Sequence, residues 1–219
     1  LLKRNCCSMM FEVISQEEFT KSANGLGFKK NGQYFQKDGK DLKLTITYLE
    51  GEISTQIIQT LKNQFERNGI KLVEKKIPTT PDSTTTAQQE SFTDIVNNRN
   101  FEAILTGIDL TPDPDIYNEW HSSKVDPPGL NLSGYSNKFT DQTLVNARLI
   151  DTQEERKKEY FKFQVRFFEE TPAIYLINPG IKIFLSNRIL NTKSNDVAES
   201  DYFYESMLSW EINPKYKFN

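Results

Sequence analysis

With 219 residues, 37% of them hydrophobic and 26% charged, and with 15 Phe and 9 Tyr, the chain is long enough for one sizeable α/β domain or two small ones, and disorder is not its default. Its 27 Lys and Arg stand against 30 Asp and Glu, and the doublets Lys29-Lys30, Lys75-Lys76 and Lys157-Lys158 lie far apart, so no basic stripe exists for a phosphate backbone and nucleic acid is not an expected partner. No stretch approaches the roughly 20 apolar residues of a membrane span, so the polypeptide is not itself a permease.

Residues 1–14 are non-diagnostic. Cys6 and Cys7 are the only cysteines and His121 the only histidine, which leaves no disulfide framework and no zinc site. LLKRNCC lacks the apolar region and the small residues of a processing site. Ser15 with Glu18 forms a capping box for a helix that should stop at Gly25 or Gly27. Two strand-like runs then flank a turn at Lys37-Asp38-Gly39-Lys40. In the second run Leu42, Leu44, Ile46 and Tyr48 alternate with Lys43, Thr45 and Thr47, the period of a strand with one buried face. Ser54 is placed to cap a helix carrying Ile57, Ile58, Leu61 and Phe65 and ended by Gly69, and Ile70 to Ile77 reads as the next strand. The polar PTTPDSTTTAQQ is an exposed connection, and SFTDIVNNRN a helix.

The stretch FEAILTGIDLTPDPDIYNEWHSS, Phe101 to Ser123, organises the rest. FEAIL is a short apolar run that reads as a buried strand, because it is too short for a helix and ends at Gly107. A loop carrying Asp109 follows. Asp113-Pro114-Asp115 then supplies a cap, a residue that needs no amide hydrogen, and a charge at the positive end of the dipole for a short helix bearing Trp120 and His121. Ligands of open α/β sheets sit beyond the carboxyl ends of the strands, where this loop lies.

DPPGLNLSGYSNKF is a long aperiodic loop, of a kind that is usually functional. Thr140 or Asp141 should start one helix, and Thr152 with Glu155 makes a capping box for another. Tyr160, Phe161, Phe163, Val165, Phe167 and Phe168 spread over more than one face of that last helix, so its second half should be deeply buried. AIYLIN and IKIFL read as two strands joined at Asn178-Pro179-Gly180. From Asn191 the chain is polar and then aromatic without a long regular element; Phe203, Met207, Leu208 and Trp210 need another surface to pack on.

Each candidate site residue has two readings. Asp113 and Asp115 can hold a cation, but as cap and first-turn residues they already have structural work, and that reading is preferred. A carboxylate or metal-dependent enzyme built on Asp109, Asp113, Asp115 and Glu119 is the alternative from another class; no Gly-rich phosphate loop or activated nucleophile accompanies those residues. His121, alone, suits a surface or a helix end. Trp120 floors a ligand pocket or packs in the core, with the core preferred. Asn131, Ser133, Tyr135 and Asn137 form a polar run for which ligand contact and plain loop chemistry both stand.

Five blocks then stand in one order: GFKKNGQYFQKDGKDLKLTI, STQIIQTLKNQFERNGIKLV, FEAILTGIDLTPDPDIYNEWHSS, GLNLSGYSNKFTDQTLVNAR and ERKKEYFKFQVRFFEETPAIYL. In that order they resemble the carboxyl-terminal lobe of the family 5 extracytoplasmic solute-binding proteins, the oligopeptide- and dipeptide-binding proteins of ABC importers. The resemblance runs from about Ser15 to Phe218. It implies an α/β fold, a type II periplasmic-binding-protein-like lobe with a mixed sheet and flanking helices, over residues 15–190. The tail, residues 191–219, would pack on an amino-terminal lobe absent from this chain. It also implies a peptide ligand, ABC permease transmembrane subunits as partners, no catalysis and no cofactor. The location implied is extracytoplasmic, in the periplasm or on the outer face of the cell membrane, with signal peptide and lipid anchor upstream of Leu1.

In peptide-binding members an Asp in the loop after the FEAIL-like strand, within a W-x-x-D-Y-x-D-P pattern, pairs with the ligand's α-ammonium. Here the pattern shifts. Counting back from Pro114 the Asp position holds Leu110, and the Trp position holds Ile108; a one-residue deletion counted from Gly107 brings Asp109 near the Asp position. Either Asp109 acts in a shifted loop or the ligand is held otherwise. The ligand-binding set implied is Ile108, Asp109, Leu110, Trp120, Asn131 and Tyr135, with oligosaccharides or nickel complexes as alternative cargo.

Overall fold

The computed structural model describes residues 15–79, 91–108, 115–178, 184–191 and 207–216. The chain divides into two compact units, Leu1–Gly107 and Ile108–Asn219.

The first unit opens with α1 (Gln16–Gly25). Its capping box is complete: the Ser15 hydroxyl accepts from the Glu18 amide at 3.2 Å, and the Glu18 carboxylate accepts from the Ser15 amide at 2.8 Å. A small antiparallel sheet follows, of β1 (Lys29–Asn31), β2 (Tyr34–Lys37) and β3 (Lys40–Asp41). The turn expected at Asp38-Gly39 is there, with φ of 52° and 73°, the left-handed pair that a two-residue hairpin requires. The β1–β2 hairpin was not anticipated, because Lys29-Lys30-Asn31 has no apolar alternation to signal a strand.

At Leu42 the chain leaves that sheet and enters another. β4 (Lys43–Leu49) is the centre of a parallel sheet ordered β5–β4–β6, with β5 at Lys71–Ile77 and β6 at Ala103–Leu105. Ile46 and Tyr48 pack with Ile58 and Leu72, backed by Leu44, Leu61 and Phe65. Thr47, on the face expected to be solvated, is 0% exposed. The alternation marks the strand but understates its burial, since a central parallel strand is covered on both faces.

α2 (Glu52–Arg67) starts two residues before Ser54. Its cap is Gly51, which has no side chain to offer, and the Ser54 hydroxyl instead donates to the carbonyls of Leu49 at 2.7 Å and Gly51 at 3.1 Å. Gly69 follows with φ +80°, and a Cβ there would stand 2.8 Å from the buried Phe35 ring. So Gly69 both turns the chain and admits the ring. α3 (Phe92–Asn97) carries a second complete capping box, Ser91 with Asp94, and buries Ile95. The connection expected to be exposed falls almost entirely outside the described residues.

The second unit is helical. α4 (Tyr117–Trp120) is short; α5 (Lys138–Leu149) and α6 (Gln153–Glu170) form its frame. Trp120, Tyr135, Leu144, Phe163 and Phe167 make the core, with the Trp120 and Phe167 rings edge to face at 4.7 Å between centroids. α5 begins earlier than expected: Asn137 is the cap, its side-chain oxygen accepting from the Phe139 and Thr140 amides. Thr152 does not cap α6 by accepting an amide; its hydroxyl donates to Glu155 at 3.2 Å. Only Phe163 and Phe167 are fully buried on α6, and Phe161 is 56% exposed, so one stripe rather than the whole second half is covered.

The segment AIYLIN forms no strand. Ile174, Tyr175, Leu176 and Ile177 are exposed, and most of IKIFL lies outside the described residues, as does the turn at Pro179-Gly180. Beyond it, β7 (Ile189–Leu190) pairs antiparallel with β8 (Glu211–Ile212), a small ladder within the tail that the sequence did not signal. Phe203 is outside the described residues, while Met207 and Leu208 are exposed.

Candidate functional site

The loop expected to hold the site follows β6. From β4 the chain passes through α2 to β5 on one side, then through α3 to β6 on the other side of β4. Right-handed crossovers put the two helices on opposite faces, so the carboxyl ends of β4 and β6 border the crevice where the strand order reverses. Residues 106–108 leave from that point. Ile108 is 38% exposed there. Asp109, Leu110 and Asp113, the other loop residues singled out, lie outside the described residues, and with them the cap expected of Asp113.

At the far end of this loop Asp115 is held firmly. One carboxylate oxygen accepts from the Tyr117 amide at 3.1 Å and the other from Arg148 Nε at 2.8 Å and Nη2 at 2.5 Å. Burial pushes the Asp115 carboxyl up, but the Arg148 guanidinium and the Tyr117 amide outweigh it and hold the group below its usual value. Asp115 therefore has an ion-pair partner and an amide to cap, the structural role preferred from its place in the sequence. α4 accordingly starts at Tyr117 with Ile116 as an unassisted cap. Glu119, the remaining described member of the carboxylate set, is raised by burial and then by the nearby Asp115 charge, and its Oε2 is buried without a hydrogen-bond partner. A lone acceptor of this kind is no metal cluster; among the described residues no group of three potential ligands assembles.

His121 closes α4, as a helix-end histidine. Its Nδ1 accepts from the Ser123 amide at 3.1 Å, and its ring stacks on Tyr117 at 4.2 Å. Asp141, expected to begin a helix, instead accepts from the Ser122 amide at 2.8 Å and hydroxyl at 2.6 Å. These bonds tie the segment after α4 to α5.

Three residues expected to meet ligand are interior. Trp120 is a core residue beside Phe163 and Phe167, although its Nε1 has no acceptor. Asn131 is 0% exposed: its amide nitrogen donates to the carbonyls of His121 at 3.1 Å and Tyr135 at 2.8 Å, and its oxygen accepts from the Tyr135 amide and the Ser133 hydroxyl. The Tyr135 hydroxyl lies 3.0 Å from Thr140 Oγ1, and burial pushes it up to about 12. The polar capacity of Asn131 is spent on folding the loop, and that of Tyr135 is directed at α5, so both organise the long loop from within. Gly129 lets that loop close, since a Cβ would meet the Lys124 carbonyl oxygen at 2.1 Å. The sequence missed Arg148 and Tyr117. Arg148 stands 33 residues from Asp115, and nothing in the spacing joins them.

No protein-family profile matches the chain. The oligopeptide-binding protein AppA of Bacillus subtilis is 26% identical over 163 residues, 73% of this chain and 27% of that protein. Its solved structure, in complex with a nonapeptide, superposes with a TM-score of 0.56 at 22% identity over 72% of this chain and 30% of that one. NikZ from Campylobacter jejuni in complex with Ni(L-His) gives 0.52 at 25% identity over 72% and 31%. The oligopeptide-binding protein of Thermus thermophilus with a pentapeptide gives 0.56 at 16% over 73% and 29%. These are solute-binding proteins of the family 5 ABC type, and the mixed α/β fold of this chain matches their lobes over about 72% of its length. The chain spans less than a third of the length of the proteins it matches.

Proposed function

We propose that this chain is the carboxyl-terminal lobe of an extracytoplasmic solute-binding protein that captures peptides between two lobes and delivers them to an ABC permease, without catalysis. The observation that carries the reading is the likeness to AppA at the level of both sequence and fold. An extended peptide held through its backbone is bound with little regard to its side chains, much as an added strand would be. The loop that follows β6 is the segment this reading assigns to ligand contact, by its place after a strand of the parallel sheet. In that loop Asp109 is the ammonium partner, flanked by the apolar Ile108 and Leu110. A charge-assisted hydrogen bond shielded from water is about twice a neutral one, and leaving either charge unpaired is costly. The amino-terminal lobe, the lipid anchor and the position outside the membrane belong to the same proposal.

A nickel complex is the second cargo, favoured by the 25% identity to NikZ. Mass spectrometry of ligands retained by the complete protein separates the two. A series of peptides is expected; a metal chelate or a sugar with no peptide would overturn the peptide reading while leaving the transport reading in place.

A further inference from the structure

Asn-Gly pairs occur at Asn24-Gly25, Asn31-Gly32 and Asn68-Gly69, and the fold treats them differently. Gly25 is the last residue of α1, so its amide belongs to the helical ladder, and the Asn24 carbonyl accepts from the Gly27 amide at 3.0 Å. Gly69 is buried, its amide donates to the Glu66 carbonyl at 3.0 Å, and the Asn68 side chain donates to the Gln64 carbonyl at 2.8 Å. Asn31-Gly32 is the exception. Asn31 ends β1 opposite Tyr34, which leaves Gly32 and Gln33 as a tight turn with Gly32, at φ +64°, in the first position. Both Asn31 and Gly32 are exposed, and the Gly32 amide enters no hydrogen bond among the described residues. Apart from its chain neighbours, no atom lies within 4 Å of where a Cβ would stand on Gly32.

We infer that Asn31 is the Asn-Gly site at which the folded chain deamidates first, and that a polar ladder across the small sheet carries the new charge to Asp41. The Gly32 backbone nitrogen, having lost its proton to solvent, attacks Asn31 Cγ. The Cγ–Nδ2 bond breaks and Nδ2 leaves as ammonia, taking a proton back from solvent. Water, the sole co-reactant, then opens the cyclic imide at either carbonyl to give aspartate or isoaspartate. Glycine at the attacking position has no side chain to hinder the approach. On the sheet face Asn31 Nδ2 donates to Gln36 Oε1 at 2.8 Å, Gln36 Nε2 donates to Asp41 Oδ1 at 2.8 Å, and Lys71 Nζ donates to Asp41 Oδ2 at 3.1 Å. A carboxylate at position 31 has no donor for Gln36 Oε1. The Gln36 amide relieves that clash by turning its nitrogen toward position 31, and Asp41 then keeps Lys71 alone. Gln36 foremost, and then Lys71, hold the Asp41 carboxyl below its usual value, so the turn of the amide lets it rise.

The test ages the full chain at mildly alkaline pH and follows each Asn-Gly peptide by mass spectrometry, with a parallel sample unfolded in urea. In the folded chain Asn31 should convert at least about fivefold faster than Asn24 or Asn68, the population factor of one net backbone hydrogen bond. In urea the three should convert at similar rates, because the ordering belongs to the fold. Gln36→Ala, which releases the Asn31 side chain, should raise the Asn31 rate by about fivefold and leave the other two unchanged. Asn31→Asp should make the Asp41 carboxyl titrate at higher pH, read by carbon-detected NMR. Asn24 or Asn68 converting as fast as Asn31 in the folded chain would overturn the site, as would an ordering that survives in urea. A Gln36→Ala chain that converts no faster, or an Asp41 titration unmoved by Asn31→Asp, would overturn the ladder.

Discussion

β4 and the segment Ile174–Ile177 are similar in composition and opposite in fate. Both are short and carry Leu, Ile and Tyr. β4 has β5 and β6 on its two sides and α2 across one face, and its Ile46, Thr47 and Tyr48 are buried. The second segment has no ladder, and Ile174 is 66% exposed. Apolar pattern states that a surface is to be covered; strand structure appears only where neighbours supply the hydrogen bonds.

The sharpest way to break that comparison is to truncate one side chain from each region. Ile58→Ala, beneath β4, should destabilise the chain by about 2–5 kcal/mol, whereas Ile174→Ala should change it by no more than about 0.5 kcal/mol, both read by urea denaturation. Equal losses would mean that the second segment is packed after all. Next in size is Gly69→Ala, where left-handed backbone and the Phe35 ring act together. A loss of about 2 kcal/mol or more is expected, and it should be reduced when Phe35 is replaced by Leu.

Two carboxylates extend the contrast to charge. Glu74, on β5, accepts from Lys62 at 2.8 Å and from the Tyr48 hydroxyl at 3.2 Å, and Lys62 foremost holds it below the ordinary 4.5. Its depressed value stabilises the fold above pH 4.5 and that contribution is lost as pH falls through the folded value. Glu119 is raised above 4.5 by burial, so the folded state binds its proton more tightly and stability falls as pH rises from 4.5 through the folded value. Glu74→Gln should flatten the acid limb of a melting profile, and Glu119→Gln should raise the melting temperature at neutral pH. The opposite sign for Glu119 would show that its orphaned oxygen has found a partner in solution. The smallest effect compares two caps: Ser15→Ala should cost about 1 kcal/mol and Thr152→Ala less than about half of that, because only the Ser15 hydroxyl accepts an amide.

What could be read from the sequence follows the range of the forces involved. The Ser15 box, the Asp38-Gly39 turn, β4, β5 and β6 rest on neighbours in sequence or on a period of two, and they stand where expected. Residue type alone points to Ser54, Thr140 and Thr152 as caps; Gly51 and Asn137 start two of those helices because the preceding chain already enters in extended conformation there. The loop after β6, where the sequence points for the site, lies mostly outside the described residues. Trp120 joins the core and Asn131 is spent on loop closure, while Asp115 meets Arg148 through tertiary packing that no local pattern encodes.

The central claim is that this chain supplies one of two lobes that close on a peptide. Hinge closure would give the complete protein twice the contacts, while association still overcomes the full loss of translational and rotational freedom, roughly 4–15 kcal/mol. Titration calorimetry with one mixed peptide library, run on residues 1–219 and on the complete protein, tests it directly. The account predicts binding by the complete protein and little or none by this chain; equal affinity in both would place the whole site within these residues and contradict the two-lobe mechanism.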